Sequence, residues 1–176
     1  MELGAFPTPY VKTTTDEVDA TADDATMSDV SWHDHTKGTF YWEQQVLTPN
    51  TGASRYAGYT QGSTTSINTS FGILSSGSKV FGQTAASGLY KSTATDSVSS
   101  NVMQKAVIAY SASDLTIAID GSSPVQDTTG GVQSDATTVF YIGQSRPRSA
   151  TFNGNIARIT YWDQRKHNGF LQYITS

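Results

Sequence analysis

From Met27 onward, apolar and polar side chains alternate in short runs separated by Gly, Ser, Asn and Asp. The runs fall at 27–32, 38–47, 55–60, 66–74, 79–84, 102–111, 114–120, 137–143 and 151–163. A period of two marks strands with one buried face, and many short strands divided by turn residues read as a sandwich or barrel. In DLTIAIDG, residues 114–121, Leu115, Ile117 and Ile119 share one face while Thr116, Ala118 and Asp120 share the other, and Asp120-Gly121 supplies a turn. The segment before it carries a denser apolar run from Ala106 to Tyr110 and is expected to pair with it as a hairpin through Ser111 to Asp114. The stretch 151–163 breaks the alternation, with Ile156 and Trp162 on one parity and Ala157, Ile159 and Tyr161 on the other. A β-bulge near Asn155 or Ala157 reconciles them. It brings Ile156 onto the core face with Ala157, Ile159 and Tyr161, and it turns Arg158, Thr160 and Trp162 the other way. In the final residues, HNGFLQYITS, Phe170, Leu171 and Ile174 recur every three to four positions. That spacing predicts one or two helical turns packed against a sheet edge.

Composition sharpens this picture. The chain has 176 residues, 36% apolar and 11% aromatic, enough for one well-cored domain, and only 15% are charged. Abundant Ser and Thr and scarce Leu favour strands over helices, so the expected class is all-β. Residues 1–26, with Pro7, Pro9 and the carboxylates Asp16, Glu17, Asp19, Asp23 and Asp24, read as an extended arm or linker, and 27–176 as the domain. A net charge of −4 without a basic cluster argues against nucleic acid as partner. The longest apolar run is far below the ~20 residues of a membrane helix, so membrane insertion is not expected. With no cysteine there is neither a disulfide frame nor a thiolate metal site.

Chemistry-bearing residues concentrate in a few places. On GTFYWEQQV, Phe40, Trp42 and Gln44 share one parity and Tyr41, Glu43 and Gln45 the other. The second set mixes an aromatic ring with planar polar groups, which suits a sugar: the ring meets the C–H face and the polar groups meet hydroxyls. The alternative is a solvated outer face. RYAGYTQGS brings together Arg55, Tyr56, Tyr59 and Gln61, a Tyr and Arg combination common at recognition surfaces. The loop GQSRPRS carries Arg146 and Arg148, suited to carboxylates of acidic sugars or simply solvated. Trp162 is either scaffold or platform. In WHDHT, His33 and His35 lie on one side of an extended chain, but zinc needs three or four ligands and His167 is remote in sequence. No resident cofactor is expected. For calcium, no alternating Asp/Asn loop is present, and Asp127 and Asp135 would be the oxygen donors. A glycosidase needs two positioned carboxylates, and Glu43 stands alone on its strand, so an enzyme is not expected. Nor is there a Gly-x-Ser-x-Gly elbow.

Four pieces coincide in order: ELGAFPTPYVKTTT at 2–15, SWHDHTKGTFYWE at 31–43, DLTIAIDG at 114–121 with FYIGQ at 140–144, and FNGNIARITYWDQR at 152–165 followed by LQYIT. Together they resemble the concanavalin A-like, laminin G-type jelly-roll domains of bacteriophage and prophage tail and fibre proteins. The resemblance implies a jelly roll of two antiparallel sheets, used as a non-catalytic, virion-associated module that binds host cell-surface carbohydrate. It further implies action outside the host cell, contact with other virion proteins and a homo-oligomeric fibre. In that family the piece resembling 2–15 commonly follows an upstream domain, whereas here Met1 precedes it directly. The chain departs from the family pattern at Lys166 and Gly169 of the closing helix. The jelly-roll glucanases that share the fold this resemblance implies carry Glu-x-Asp-x-x-Glu on a central strand, a motif the chain approaches only at Glu17 and Asp19, with Ala22 in the last place. The competing readings are a structural decoration or assembly domain, which would oligomerise without glycan, and a glycan-cleaving enzyme.

Overall fold

The computed structural model describes residues 25–47, 54–62, 67–73, 79–84, 99–112, 114–128, 135–145 and 150–176. Among these residues ten strands and one helix follow in order: β1 (Ala25–Met27), β2 (Gly38–Val46), β3 (Arg55–Gly62), β4 (Ile67–Ile73), β5 (Val80–Thr84), β6 (Met103–Ser111), β7 (Asp114–Ile119), β8 (Val125–Asp127), β9 (Thr137–Ile142), β10 (Gly154–Trp162) and α1 (Asn168–Thr175). They form two five-stranded antiparallel sheets, β1-β9-β3-β4-β5 and β10-β2-β6-β7-β8, called sheet A and sheet B here. Two differences from the expected strands have local causes. Residues 28–37 turn instead of continuing β1, because Asp29 and Asp34 bond the backbone N–H two residues on and close local turns. The short β8 lacks an alternating signal of its own and exists through pairing with β7. The hairpin of β6 and β7 is in place, from Ala106 opposite Ile119 to Ser111 opposite Asp114. Asp120 and Gly121 both have positive φ, 45° and 73°, and Ser122 N–H bonds Ile119 C=O at 2.8 Å, the geometry of a type I′ turn.

The core lies between the sheets. Phe40, Trp42 and Val46 of β2, Ala106, Ile108 and Tyr110 of β6, and Ile117 and Ile119 of β7 face Ala57, Phe71, Val80 and Phe140 of sheet A. Phe71 meets Trp42 and Phe40 at ring-centroid distances of 4.5 and 5.0 Å. Its cross-strand neighbours are Gly58 and Gly82. A Cβ at Gly58 would run into the Phe71 ring, and one at Gly82 into Ile108 of the facing sheet, so the two glycines let the sheets close on this ring. β10 carries the bulge the sequence calls for: its register against β2 shifts between Ile156 and Arg158, and Ile156, Ile159 and Tyr161 pack on the core. Ala157 does not join them. It is the exposed extra residue of the bulge, because a two-residue step from Ile156 to Arg158 leaves no inward position for it.

The helix departs from expectation in placement. α1 packs on the outer face of sheet B rather than against an edge. There Leu171, fully buried, joins Val107, Ala109, Ala118 and Tyr41, with Trp162, Phe170 and Ile174 at the border. Small side chains on β6 and β7 leave a shallow apolar bed for one helix face. Its start is anchored: His167 Nδ1 accepts from Phe170 N–H at the N-cap, and the Arg165 guanidinium reaches Asp114 at 2.7 Å, Thr116 Oγ1 at 2.9 Å and Asn168 Oδ1 at 2.7 Å. Ala25 and Thr26 already belong to β1. Leu171→Ala is expected to cost about 3 kcal/mol of stability, measured by urea denaturation, because the cavity opens beneath a helix whose docking rests on that side chain.

Candidate functional site

The sequence candidates are distributed over opposite surfaces of the sandwich. Arg55, Tyr56, Tyr59 and Gln61 come from β3 in sheet A. Gly58 points inward, so Tyr59 points outward, where its ring meets Tyr56 at 5.5 Å and Tyr141 of β9 at 6.0 Å, both edge-on. Tyr56 also meets Phe81 at 5.5 Å. Tyr59, Phe81, Ser70, Gln83 and Tyr141 on this face are all buried, Tyr59 at 1% exposure, while Arg55, Tyr56 and Gln61 are half-buried. The outer face of sheet A is thus a layer of buried rings with Ser70 and Gln83 buried in the same row, and Arg55, Tyr56 and Gln61 half-buried beside it. Tyr141, Phe81 and Gln83 were not singled out by the sequence; register with β3 and β4 is what places them there. Arg146 and Arg148 lie outside the described residues.

Tyr41, Glu43 and Gln45 point outward from β2 in sheet B, on the face that α1 partly covers. The Tyr41 ring is only 3% exposed: it borders the helix cluster, its hydroxyl donates to Glu43 at 2.6 Å, and the Arg158 guanidinium lies 5.7 Å from its centroid. Burial, and secondly the bond to Glu43, push the Tyr41 phenol well up, so it stays a neutral donor. Trp162 is half-buried and edge-on to Phe170 at 5.5 Å, part of the helix border.

Beyond the helix the same face is open and polar. Register aligns Arg158, Glu43 and Lys105 in one row across three strands, and Asn155, Gln45 and Met103 in the next. Asp120 extends the first row, its carboxylate accepting from Lys105 N–H at 2.8 Å. Arg158 Nε donates to Thr160 Oγ1 at 3.1 Å. In the second row Asn155 Nδ2 donates to Gln45 Oε1 at 3.0 Å, and Gln45 Nε2 donates to Asn101 C=O at 3.0 Å, so both amides are held in place. Glu43, Gln45 and Lys105 are half-exposed and Asn155 and Arg158 exposed. Charges of both signs and oriented amides side by side can pair with a ligand rich in hydroxyls. Asn155 and Lys105 were missed in the sequence. The outward parity of Arg158 was legible, but which residues stand beside Glu43 follows only from strand pairing.

The histidine motif resolves into structure. His33 Nε2 lies 2.9 Å from Tyr110 Oη and Nδ1 lies 2.7 Å from Thr137 Oγ1. Tyr110 Oη donates to Asp34 C=O at 2.8 Å, and Thr137 Oγ1 accepts from Asn68 Nδ2 at 2.7 Å, so a neutral ring with its proton on Nε2 satisfies every partner. Asp127 sits in β8 of sheet B, and Asp135 precedes β9 of sheet A, beside Gly62. Among the described residues no three His, Asp or Glu side chains gather to hold a metal ion. None of the described helices is long and apolar enough to cross a membrane.

No protein-family model and no curated protein matches the sequence. Among solved structures, the carbohydrate-binding module CBM40 of Ruminococcus gnavus IT-sialidase superposes with a TM-score of 0.68 at 12% identity, over 90% of this chain and 96% of that one. The native heptameric SAP-like pentraxin from Limulus polyphemus gives 0.61 at 18% identity, over 80% and 70%. Leech intramolecular trans-sialidase gives 0.66 at 12% identity, over 90% of this chain and 26% of that one. The fold is a jelly-roll sandwich. At these identities the likeness describes the fold alone.

Burial, and secondly the neighbouring His35, lower His33 to about 4 from an ordinary 6.5, against a weaker opposing pull from Asp34. The unfolded chain therefore binds more protons than the folded one between those values. Stability from this group is complete above pH 6.5 and lost as pH falls towards 4, about 3 kcal/mol in all. Urea midpoints measured across that window should fall with pH, and His33→Gln should flatten the dependence.

Proposed function

We propose that the chain is a non-catalytic carbohydrate-binding module, and that it uses the open half of sheet B's outer face. The observation that carries this reading is the pair of aligned rows Arg158, Glu43, Lys105 and Asn155, Gln45, Met103, in which the Asn155 and Gln45 amides are bonded to each other, Glu43 accepts from Tyr41 and Arg158 donates to Thr160. Sugar hydroxyls present a donor and acceptor each, and a face offering carboxylate, amide and guanidinium within neighbouring strands answers both. Exposed Met103 supplies an apolar fringe. Arg55, Tyr56 and Gln61 on the other sheet form a lesser candidate because Tyr59 and Tyr141 on that face are buried.

Support from likeness is of the same kind. The CBM40 module is described bound to α2,6 and to α2,3 sialyllactose, and the pentraxin as heptameric. By the sequence resemblance, the module belongs on a bacteriophage tail or fibre, outside the host cell, among other virion proteins and in several copies. Several weak sites presented together give the avidity that adhesion needs. The isolated chain is expected to bind host-surface glycans with affinity in the millimolar range on an array. Gln45→Ala, Asn155→Ala and Arg158→Ala should each weaken binding about tenfold, the effect of losing one or two hydrogen bonds. Absence of any binding at millimolar glycan, or binding indifferent to all three changes, would overturn the reading.

A further inference from the structure

A second feature lies at the seam where sheet A's β1–β9 edge faces β10 of sheet B. There the sandwich is open to its core. A cavity of about 350 Å³ is walled by Met27, Trp32, Phe140, Ile142, Ile159 and Tyr161, with Phe40 as its floor. Trp32 stands edge-on to Tyr161 at 5.2 Å, Phe140 at 5.8 Å and Phe40 at 6.4 Å, and its indole N–H is bonded to Asp29 C=O at 3.0 Å. The aromatic box is therefore rigid before anything enters it. Its one side-chain hydroxyl among the described residues, Tyr161 Oη, is engaged with Asp34 N–H at 2.9 Å. No described wall residue carries a charge. The mouth is marked by Met27, 41% exposed on a strand whose other two residues are exposed as well.

Along the same seam a second cavity of about 320 Å³ shares the wall residue Ile142 and is lined by Gly143, Thr151, Phe152, Gly154 and Ile156. It is of mixed polarity where the first is mostly apolar. Pockets of a few hundred cubic ångströms with rigid apolar walls and few polar groups are the usual form of small-molecule sites. Among the described residues of this wall a charged ligand would find no counter-charge, and a sugar few partners for its hydroxyls.

We propose that this seam binds a small uncharged amphiphile, its aliphatic chain in the aromatic box and its polar end towards Thr151. The site is independent of the glycan-binding face and would stand if that reading failed.

A long-chain alcohol with a bromine at its tail tests this on the full chain, since bromine quenches tryptophan at contact. The expected result is saturable quenching at one molecule per chain, absent in Trp32→Phe. Ile142→Phe fills the shared wall and should weaken binding at least about tenfold with the circular dichroism spectrum unchanged. Should that variant not fold, Met27→Trp, at the exposed mouth, should weaken binding instead. Quenching that does not saturate, that persists in Trp32→Phe, or that ignores the folded wall and mouth variants would overturn the proposal. So would a dimer seen by sedimentation that persists when the alcohol is added and shows no quenching, since a second copy would then be the occupant.

Discussion

The packing of Phe71 between the sheets is the constraint on which the rest depends. Its ring reaches across from sheet A to Trp42 and Phe40 of sheet B, and glycines stand on both of its flanks, Gly58 on β3 and Gly82 on β5. A large side chain between two positions without one fills the space that three medium side chains would occupy, and Ile108 descends from the opposite sheet onto Gly82. That sets the separation of the sheets at one point and, through the ladders, the faces that every strand turns inward. Tyr59 points out because Gly58 points in; Tyr41, Glu43 and Gln45 point out because Phe40 and Trp42 point in.

At the β1 and β10 side this closure is incomplete. The residues after β1 turn away at Asp29 and Asp34, and His33 takes up the space with a network to Tyr110, Thr137 and Asn68. A buried neutral histidine with both ring nitrogens partnered orients the loop without adding charge to the core. Trp32, the residue before it, then closes one wall of the seam. The motif that invited a metal reading is a network of polar contacts beside an apolar opening.

Sheet B divides its outer face between two tasks. Where β6 and β7 carry Val107, Ala109 and Ala118, the helix finds an apolar bed and hides it; where β2, β6 and β10 carry Glu43, Lys105 and Arg158, nothing apolar invites it, and the face stays polar. Arg158 lies on the boundary, over the ring of Tyr41. The expectation that the helix caps an edge went astray because hydrophobic spacing within a helix says that one face is buried, not against what.

Much was legible before any tertiary structure. Two-residue alternation identified eight of the strands, the Asp120-Gly121 turn, the hairpin of β6 and β7, and the inward parity of Phe40 and Trp42. Apolar residues on both parities of 152–162 announced a bulge, since no unbroken strand can bury Ile156 and Ile159 on one face. These are local matters, decided by side-chain period and backbone preference over a few residues. Tertiary structure decided what lies beside what. Tyr41 carries its candidate polar neighbours along its own strand, but its burial comes from a helix 130 residues later and from an arginine on a third strand. Tyr59 and Tyr56 look alike in sequence, yet one is buried and the other half-buried, because a bulge at Ala57 and contacts from β9 and β5 separate them. Neighbours across a sheet are set by register between segments far apart in the chain, and no period within one segment encodes that register.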